Sequence, residues 1–215
     1  GFSQSVSSPT STSYAQSTSN QIASGSRDGE LCVWNTTTGD LIVSHNIGGT
    51  ITTICELLLP PTYDKSIKSI KNILEIGFNA GFSTLFMLLT HPTVKITCVD
   101  LGEHSYTIPC YEWLSKQFPN RIEFFKGNSQ DILPTLIEKQ KTYDFIHIDG
   151  GHANICVFHD IQNSLKLSHK NTLLLMDDTE QQHIALLWSL FYSYYKLIEC
   201  PLLVKTDRHH LAMNP

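Results

Sequence analysis

The stretch ILEIGFNAGFSTLFML, Ile73 to Leu88, decides how the chain folds. Its first half is a short apolar run interrupted only by Glu75, the pattern of a strand buried on both faces. Its second half, from Phe82, carries apolar residues at helical spacing. Between them Gly77 and Gly81 bracket a tight turn, because a residue without a Cβ can bend sharply and let a ligand approach the backbone. A strand running through a glycine turn into a helix is the opening unit of a parallel α/β sheet. The spacing is G-x-x-x-G. The G-x-G-x-x-G of dinucleotide binders, which sets a pyrophosphate on the helix N-terminus, is absent here.

Working outward, apolar runs and periodic segments alternate from about Ile70 to the C-terminus. Strands are predicted at Asn72–Gly77, Lys95–Asp100, Arg121–Phe125, Tyr143–Asp149, Asn171–Asp177, Tyr195–Cys200 and Arg208–Met213. Helices fall between them at Phe82–Leu89, Ile108–Phe118, Gln130–Lys139, Ala153–Leu167 and Glu180–Ser193. The link between the last two strands is too short for a crossover helix, which predicts an antiparallel C-terminal hairpin on an otherwise parallel sheet. Lys170-Asn171 leads into the fifth strand, and Asn tolerates a left-handed conformation there. Leu187, Leu190, Phe191 and Tyr194 share a helical face, read as core packing ahead of a dimer contact.

Acidic residues gather at strand ends. Asp100 ends the second strand, 19 residues after Gly81, where α/β folds place an acid that accepts ribose hydroxyls. YDFIHIDGGHANICVFHDI (Tyr143 to Ile161) puts Asp149 at the end of the fourth strand. NTLLLMDDTE (Asn171 to Glu180) puts Asp177 and Asp178 at the end of the fifth. Ligands bind beyond those ends in open sheets. Three converging carboxylates with no nearby Lys or Arg in sequence repel one another unless a cation joins them, which points to Mg²⁺ with oxygen ligands.

These motifs together resemble class I S-adenosylmethionine-dependent methyltransferases, in particular metal-dependent O-methyltransferases of small molecules and sugars. The resemblance covers about residues 64–215 and rests on the glycine loop, Asp100, IEFFKGNSQDILPTL (Ile122 to Leu136), IDGGH and the Asp177-Asp178 pair. It implies a Rossmann-like seven-stranded sheet and a cofactor site of Glu75, Gly77, Phe78, Asn79, Gly81, Ser83, Asp100, Asn128, Ser129 and Asp149. Asn128 stands where the family usually has Asp. The resemblance further implies that Asp149, Asp177 and Asp178 hold Mg²⁺, with His152 as general base beside a catalytic Asp149. The expected reaction is methyl transfer from S-adenosylmethionine to the hydroxyl of a small molecule. The alternative is a weakly active or non-catalytic methyltransferase-like domain in a scaffold.

The N-terminal part reads differently. Residues 1–20 are rich in Ser, Thr and Gln with little to bury, which predicts disorder. Residues 21–58 form a separate segment, ahead of a methyltransferase-like domain at 59–215. Within it IASGSRDGELCVWNTTTGDLIVSHN (Ile22 to Asn46) reads as three strands with hairpin signals at Asp28-Gly29 and Thr38-Gly39-Asp40, and it resembles one WD40 repeat, with Trp34-Asn35 in place of Trp-Asp. That segment and self-association are the two candidate routes to a protein partner. The region Thr50–Leu59, with Pro60-Pro61 behind it, replaces the usual lid helix. The net charge of −5 disfavours nucleic acid as the main partner. No apolar run is long enough for a membrane span. The six cysteines contain no CxxC pair, and reduced thiols in a cytoplasmic protein are expected.

Overall fold

The computed structural model describes residues 12–16, 21–26, 30–35, 41–46, 70–90, 93–200 and 208–215. The chain divides into two compact units near residue 61. The first holds four strands, β1 (Thr12–Gln16), β2 (Gln21–Ser26), β3 (Glu30–Asn35) and β4 (Leu41–Asn46). They form an antiparallel meander in the order β1-β2-β3-β4, with a register irregularity between Val33 and Trp34. Of the span 1–20 expected to be disordered, residues 12–16 instead form β1, which pairs with β2 from Thr12↔Ser26 to Gln16↔Ile22, and the rest of the span lies outside the described residues. Composition missed it because pairing with a neighbouring strand satisfies backbone groups without apolar side chains, and Thr12 and Tyr14 favour extended backbone. The expected lid region, Thr50–Leu59, lies outside the described residues.

The second unit is built on seven strands, β5 (Asn72–Ile76), β6 (Lys95–Asp100), β7 (Ile122–Lys126), β8 (Tyr143–Ile148), β9 (Ser168–Met176), β10 (Ile198–Glu199) and β11 (His210–Met213). Their order is β10-β11-β9-β8-β5-β6-β7. All neighbours from β9 to β7 run parallel, whereas β11 is antiparallel to both β9 and β10. The connecting helices are α1 (Phe82–Thr90), α2 (Thr107–Gln117), α3 (Ser129–Glu138), α4 (Asn154–Lys166) and α5 (Gln182–Tyr195). The Rossmann-like α/β sheet read from the sequence is thus present, hairpin included.

Alternation along the central strands assigns the two faces of the sheet. Leu74, Ile76, Ile146, Ile148, Leu174 and Met176 share one apolar core with Leu133 of α3, Val157 and Ile161 of α4, and Trp188 of α5. Full burial of each such aliphatic side chain stabilises by about 1.5–3 kcal/mol. Odd-numbered neighbours turn to the other face, where Glu75 lies beside Cys98 and His147 in register. The predicted turn before the fifth strand survives with a shift: β9 begins at Ser168, and Asn171 takes φ +71° within it. α5 runs through Tyr195 and closes on Lys196 at φ +53°, which shortens the expected sixth strand to Ile198–Glu199. The α5 face reading is corrected in part. Phe191 is buried, but Leu190 and Tyr194 stand 59% and 80% exposed, because the buried stripe runs through Ile184, Trp188 and Phe191. No helix among the described residues is long and apolar enough to cross a membrane.

Candidate active site

The sheet order reverses between β5 and β8, so the loops that leave their carboxyl ends diverge around a crevice. Gly77 sets its floor. Its N–H donates to Val99 O at 2.9 Å, and Asp149 N–H donates to Ile76 O at 2.9 Å. At φ +95°, a Cβ on Gly77 would lie 1.9 Å from the Asp149 carbonyl oxygen, so only glycine allows the two strand ends this close. Above them opens a cleft of about 530 Å³.

On one side of the cleft Asp100 latches two loops. Its Oδ2 accepts from Asn79 N–H at 2.8 Å, and its Oδ1 accepts from Gly102 N–H at 2.7 Å. Each oxygen keeps a lone pair for a ligand. Asn79, at φ +50°, accepts from the Tyr106 hydroxyl at 2.7 Å. Asn128 caps α3, its Oδ1 accepting from Gln130 N–H at 3.0 Å. The side-chain carbonyl keeps its second lone pair for a ligand, and the amide group remains as donor. Of the residues expected to hold the cofactor, Gly77, Asn79, Asp100, Asn128, Ser129 and Asp149 line the cleft.

Four expected cofactor residues do not line it, and each supports the loop from behind. Glu75 is fully buried on the α1 side of the sheet, where it accepts from the Ser83 and Thr84 hydroxyls, with His147 Nδ1 at 3.5 Å. Its place two residues before Gly77 turns it to the face opposite Ile76. Ser83 is occupied by that contact. Phe78 is buried edge-on against Phe124, with ring centroids 5.3 Å apart. Gly81, at φ +76°, packs where a Cβ would meet the Phe78 ring at 2.4 Å and Leu114 at 2.7 Å.

The other side of the cleft carries the acids. Ligand-capable atoms of Asp149, His152 and Asp178 fall within 4.8 Å of one another, as do those of His147, Asp149 and Asp177. His152 Nε2 lies 2.6 Å from Asp178 Oδ2. Its Nδ1 faces the Gln181 amide nitrogen at 3.1 Å, and its carbonyl accepts from His183 Nε2 at 2.9 Å. An amide nitrogen only donates, so Nδ1 carries the lone pair and Nε2 the proton held by Asp178.

Arg208, which the sequence reading did not single out, enters this cluster from the start of β11. Its Nε donates to Asp177 Oδ1 at 2.8 Å and its Nη2 to Asp178 Oδ1 at 3.0 Å. Asp177 Oδ1 also accepts from His209 Nε2 at 2.9 Å and from Asp178 N–H at 2.7 Å. The signal was available: β11 pairs antiparallel with β9 at His210↔Met176, and two steps along that register set Arg208 opposite Asp178. The assumption that no basic residue compensates the acids looked only along the sequence and is corrected here.

The electrostatics follow from these contacts. Burial works against the Asp177 carboxylate, but His209 and Arg208 hold it well below the usual range. Burial pushes Asp149 up to about 8; His147 opposes the rise, while Asp177 and Asp178 add to it. Burial and Asp177 raise Asp178 against Arg208 and His152. Hydrogen bonding to Asp177 raises the Arg208 guanidinium despite its own desolvation.

Beneath the Gly150-Gly151 turn lies Asp160, 1% exposed, in a small pocket shared with Asp149 and Asp178. Burial pushes its carboxyl up to about 6, with the Ser129 side chain pulling the other way. Folding therefore favours the protonated acid, and ionisation costs stability as pH rises from about 4 to about 6. Asp160→Asn is expected to be close to neutral below pH 4. Above pH 6 it should stabilise by up to about 3 kcal/mol, at about 1.4 kcal/mol per pH unit. Urea melts at pH 4 and pH 7.5 measure this, and equal effects at both would contradict it.

Residues 74–179 match the family described as methyltransferase domain. By that match the segment is similar to methyltransferase domains. The chain is also similar in fold to several solved structures. One is a putative caffeoyl-CoA O-methyltransferase from Staphylococcus aureus, 16% identical with a TM-score of 0.57, over 68% of this chain and 77% of that one. Another is an O-methyltransferase from Bacillus cereus in complex with SAH, at 21% identity and TM-score 0.55, over 68% and 74%. A third is TomG from Streptomyces achromogenes, an O-methyltransferase of tomaymycin synthesis in complex with SAM, at 19% and 0.55, over 67% and 73%. No curated protein sequence matches the chain. The matched span ends at Thr179, so it takes in Asp149, His152, Asp177 and Asp178 while Arg208 lies beyond it.

Proposed function

We propose that the methyltransferase domain transfers the methyl group of S-adenosylmethionine to a hydroxyl of a small molecule. The observation that carries this reading is the His152–Asp178 pair facing a cleft whose opposite side is lined by Gly77, Asn79 and Asp100. The residues present fit the cofactor. Asp100 offers lone pairs to a ribose in the cleft that Gly77, Asn79 and Asn128 also line. When bound, the cofactor supplies an electrophilic methyl group on a sulfonium. Asp178 holds the His152 Nε2 proton and so presents the Nδ1 lone pair as the base. Gln181 yields its contact with Nδ1 to the acceptor hydroxyl, whose proton passes to the imidazole. The neighbouring structures with SAM or SAH bound support this reading.

A resident Mg²⁺ on Asp149, Asp177 and Asp178 does not fit the same residues. Asp177 and Asp178 have their oxygens engaged by Arg208, His209 and His152, and no step of the reaction is routed through such an ion. For the N-terminal unit, the β1–β4 meander supports reading Ile22–Asn46 as a WD40-like blade that offers a surface to a protein partner.

Calorimetric titration of the full chain with S-adenosylmethionine tests the proposal. Micromolar binding is expected, weakened at least about tenfold, roughly 1.4 kcal/mol, by Asp100→Ala, which removes the ribose acceptor and the latch on Asn79 and Gly102. A folded protein that binds no cofactor would rule the reading out.

A further inference from the structure

We propose that Arg208 stands in for the divalent cation, so that methyl transfer at this site is independent of metal. This rests on the methyltransferase reading above. The acids Asp149, Asp177 and Asp178 meet at the ends of β8 and β9, an arrangement that demands positive charge. The chain supplies it from β11. One guanidinium bridges the two neighbouring aspartates, through Nε to Asp177 and Nη2 to Asp178, while His209 adds a third donor to Asp177. Arginine keeps its charge throughout the physiological range, and its planar fork matches paired carboxylates.

The position is fixed by backbone as well. Arg208 O accepts from Thr179 N–H at 2.8 Å, which ties the entry of β11 to the residue following the aspartate pair. A magnesium ion requires near-octahedral oxygen ligands at about 2.1 Å. Here Asp177 Oδ1 already accepts from Arg208, His209 and the Asp178 amide, and Asp178 Oδ2 sits 2.6 Å from His152. A cation entering the cluster displaces a permanent positive charge and breaks the contact that orients the base.

The same guanidinium serves the second task of a metal, which is to hold the acceptor. Arg208 lines the cleft beside His152. Its Nη1 makes no ion pair among the described residues, which leaves that nitrogen to donate to a ligand oxygen. The acceptor class this suits carries a second oxygen, neutral or anionic, next to the hydroxyl that is methylated.

Mn²⁺ titrated into the full chain and followed by the paramagnetic resonance signal of the free ion tests this directly. The wild type is expected to bind no Mn²⁺ at micromolar concentration, and Arg208→Ala to gain binding by at least about tenfold. Arg208→Gln serves as a second variant should alanine impair folding, judged by circular dichroism. Stoichiometric micromolar Mn²⁺ on the wild type overturns the proposal, as does a folded Arg208 variant that gains none. Titration of the same samples with S-adenosylmethionine keeps the two ideas separate. Cofactor binding together with wild-type Mn²⁺ binding sinks only the arginine substitution, whereas loss of cofactor binding sinks the methyltransferase reading whatever Mn²⁺ does.

Discussion

His152→Ala is expected to lower the rate of methyl transfer by roughly 10²–10⁴-fold, the usual contribution of a positioned general base. Affinity for S-adenosylmethionine should change less than about threefold, a few tenths of a kcal/mol. The separation follows from where the side chain sits. Its imidazole contacts Asp178 and Gln181, both on the β9–α5 side of the cleft, whereas Asn79 and Asp100 stand on the other side. Single-turnover transfer to a panel of hydroxyl acceptors, with cofactor affinity measured in parallel, checks it. A loss below tenfold would mean that another group removes the proton. Asp178→Asn should cost part of the same activity, because an amide in that place no longer selects the Nε2–H tautomer.

Gly77→Ala should be the most damaging single methyl in the domain. The added carbon would lie 1.9 Å from the Asp149 carbonyl oxygen and 3.2 Å from the Gly150 nitrogen, both backbone atoms, at a φ of +95° that side chains rarely adopt. Positive φ alone costs an alanine about 1–2 kcal/mol. The contact cannot be relieved by a rotamer, so the ends of β5 and β8 must separate. A destabilisation of at least about 3 kcal/mol is expected, which lowers the melting temperature of a domain this size by roughly 6–12 °C. Cofactor affinity should fall with it, because Gly77 and Asp149 both line the cleft. A variant melting within 2 °C of wild type would show that the strand ends have room to move.

The fold was legible because its signals are local and repeated. Buried strands such as Ile73–Ile76 followed by helical periodicity placed the parallel core, and the short link before His210 placed the antiparallel pair. Asp100, Asp149, Asp177 and Asp178 were legible for the same reason, as acids at the ends of apolar runs. Failures came where a side chain's role depends on which face it takes or on what the third dimension brings near. Glu75 reads as a ligand-facing acid until strand alternation turns it toward Ser83 and Thr84. Arg208 lies 30 residues after Asp178, and only the β9–β11 register joins them. Gln181 and His183, which hold His152 in place, open a helix with ordinary polar residues and give no signal before the fold is known.

The position of β11 has a consequence for biosynthesis. It follows β10 in the chain yet lies between β10 and β9, so it must insert as an interior strand. A ribosome that has delivered β9 and α5 has made a polypeptide with an open strand edge and two adjacent carboxylates lacking their guanidinium partner. Both are resolved when Arg208 and the strand behind it emerge, so sheet closure and charge neutralisation are a single late event. Until that event the β9 edge stays open to unwanted pairing.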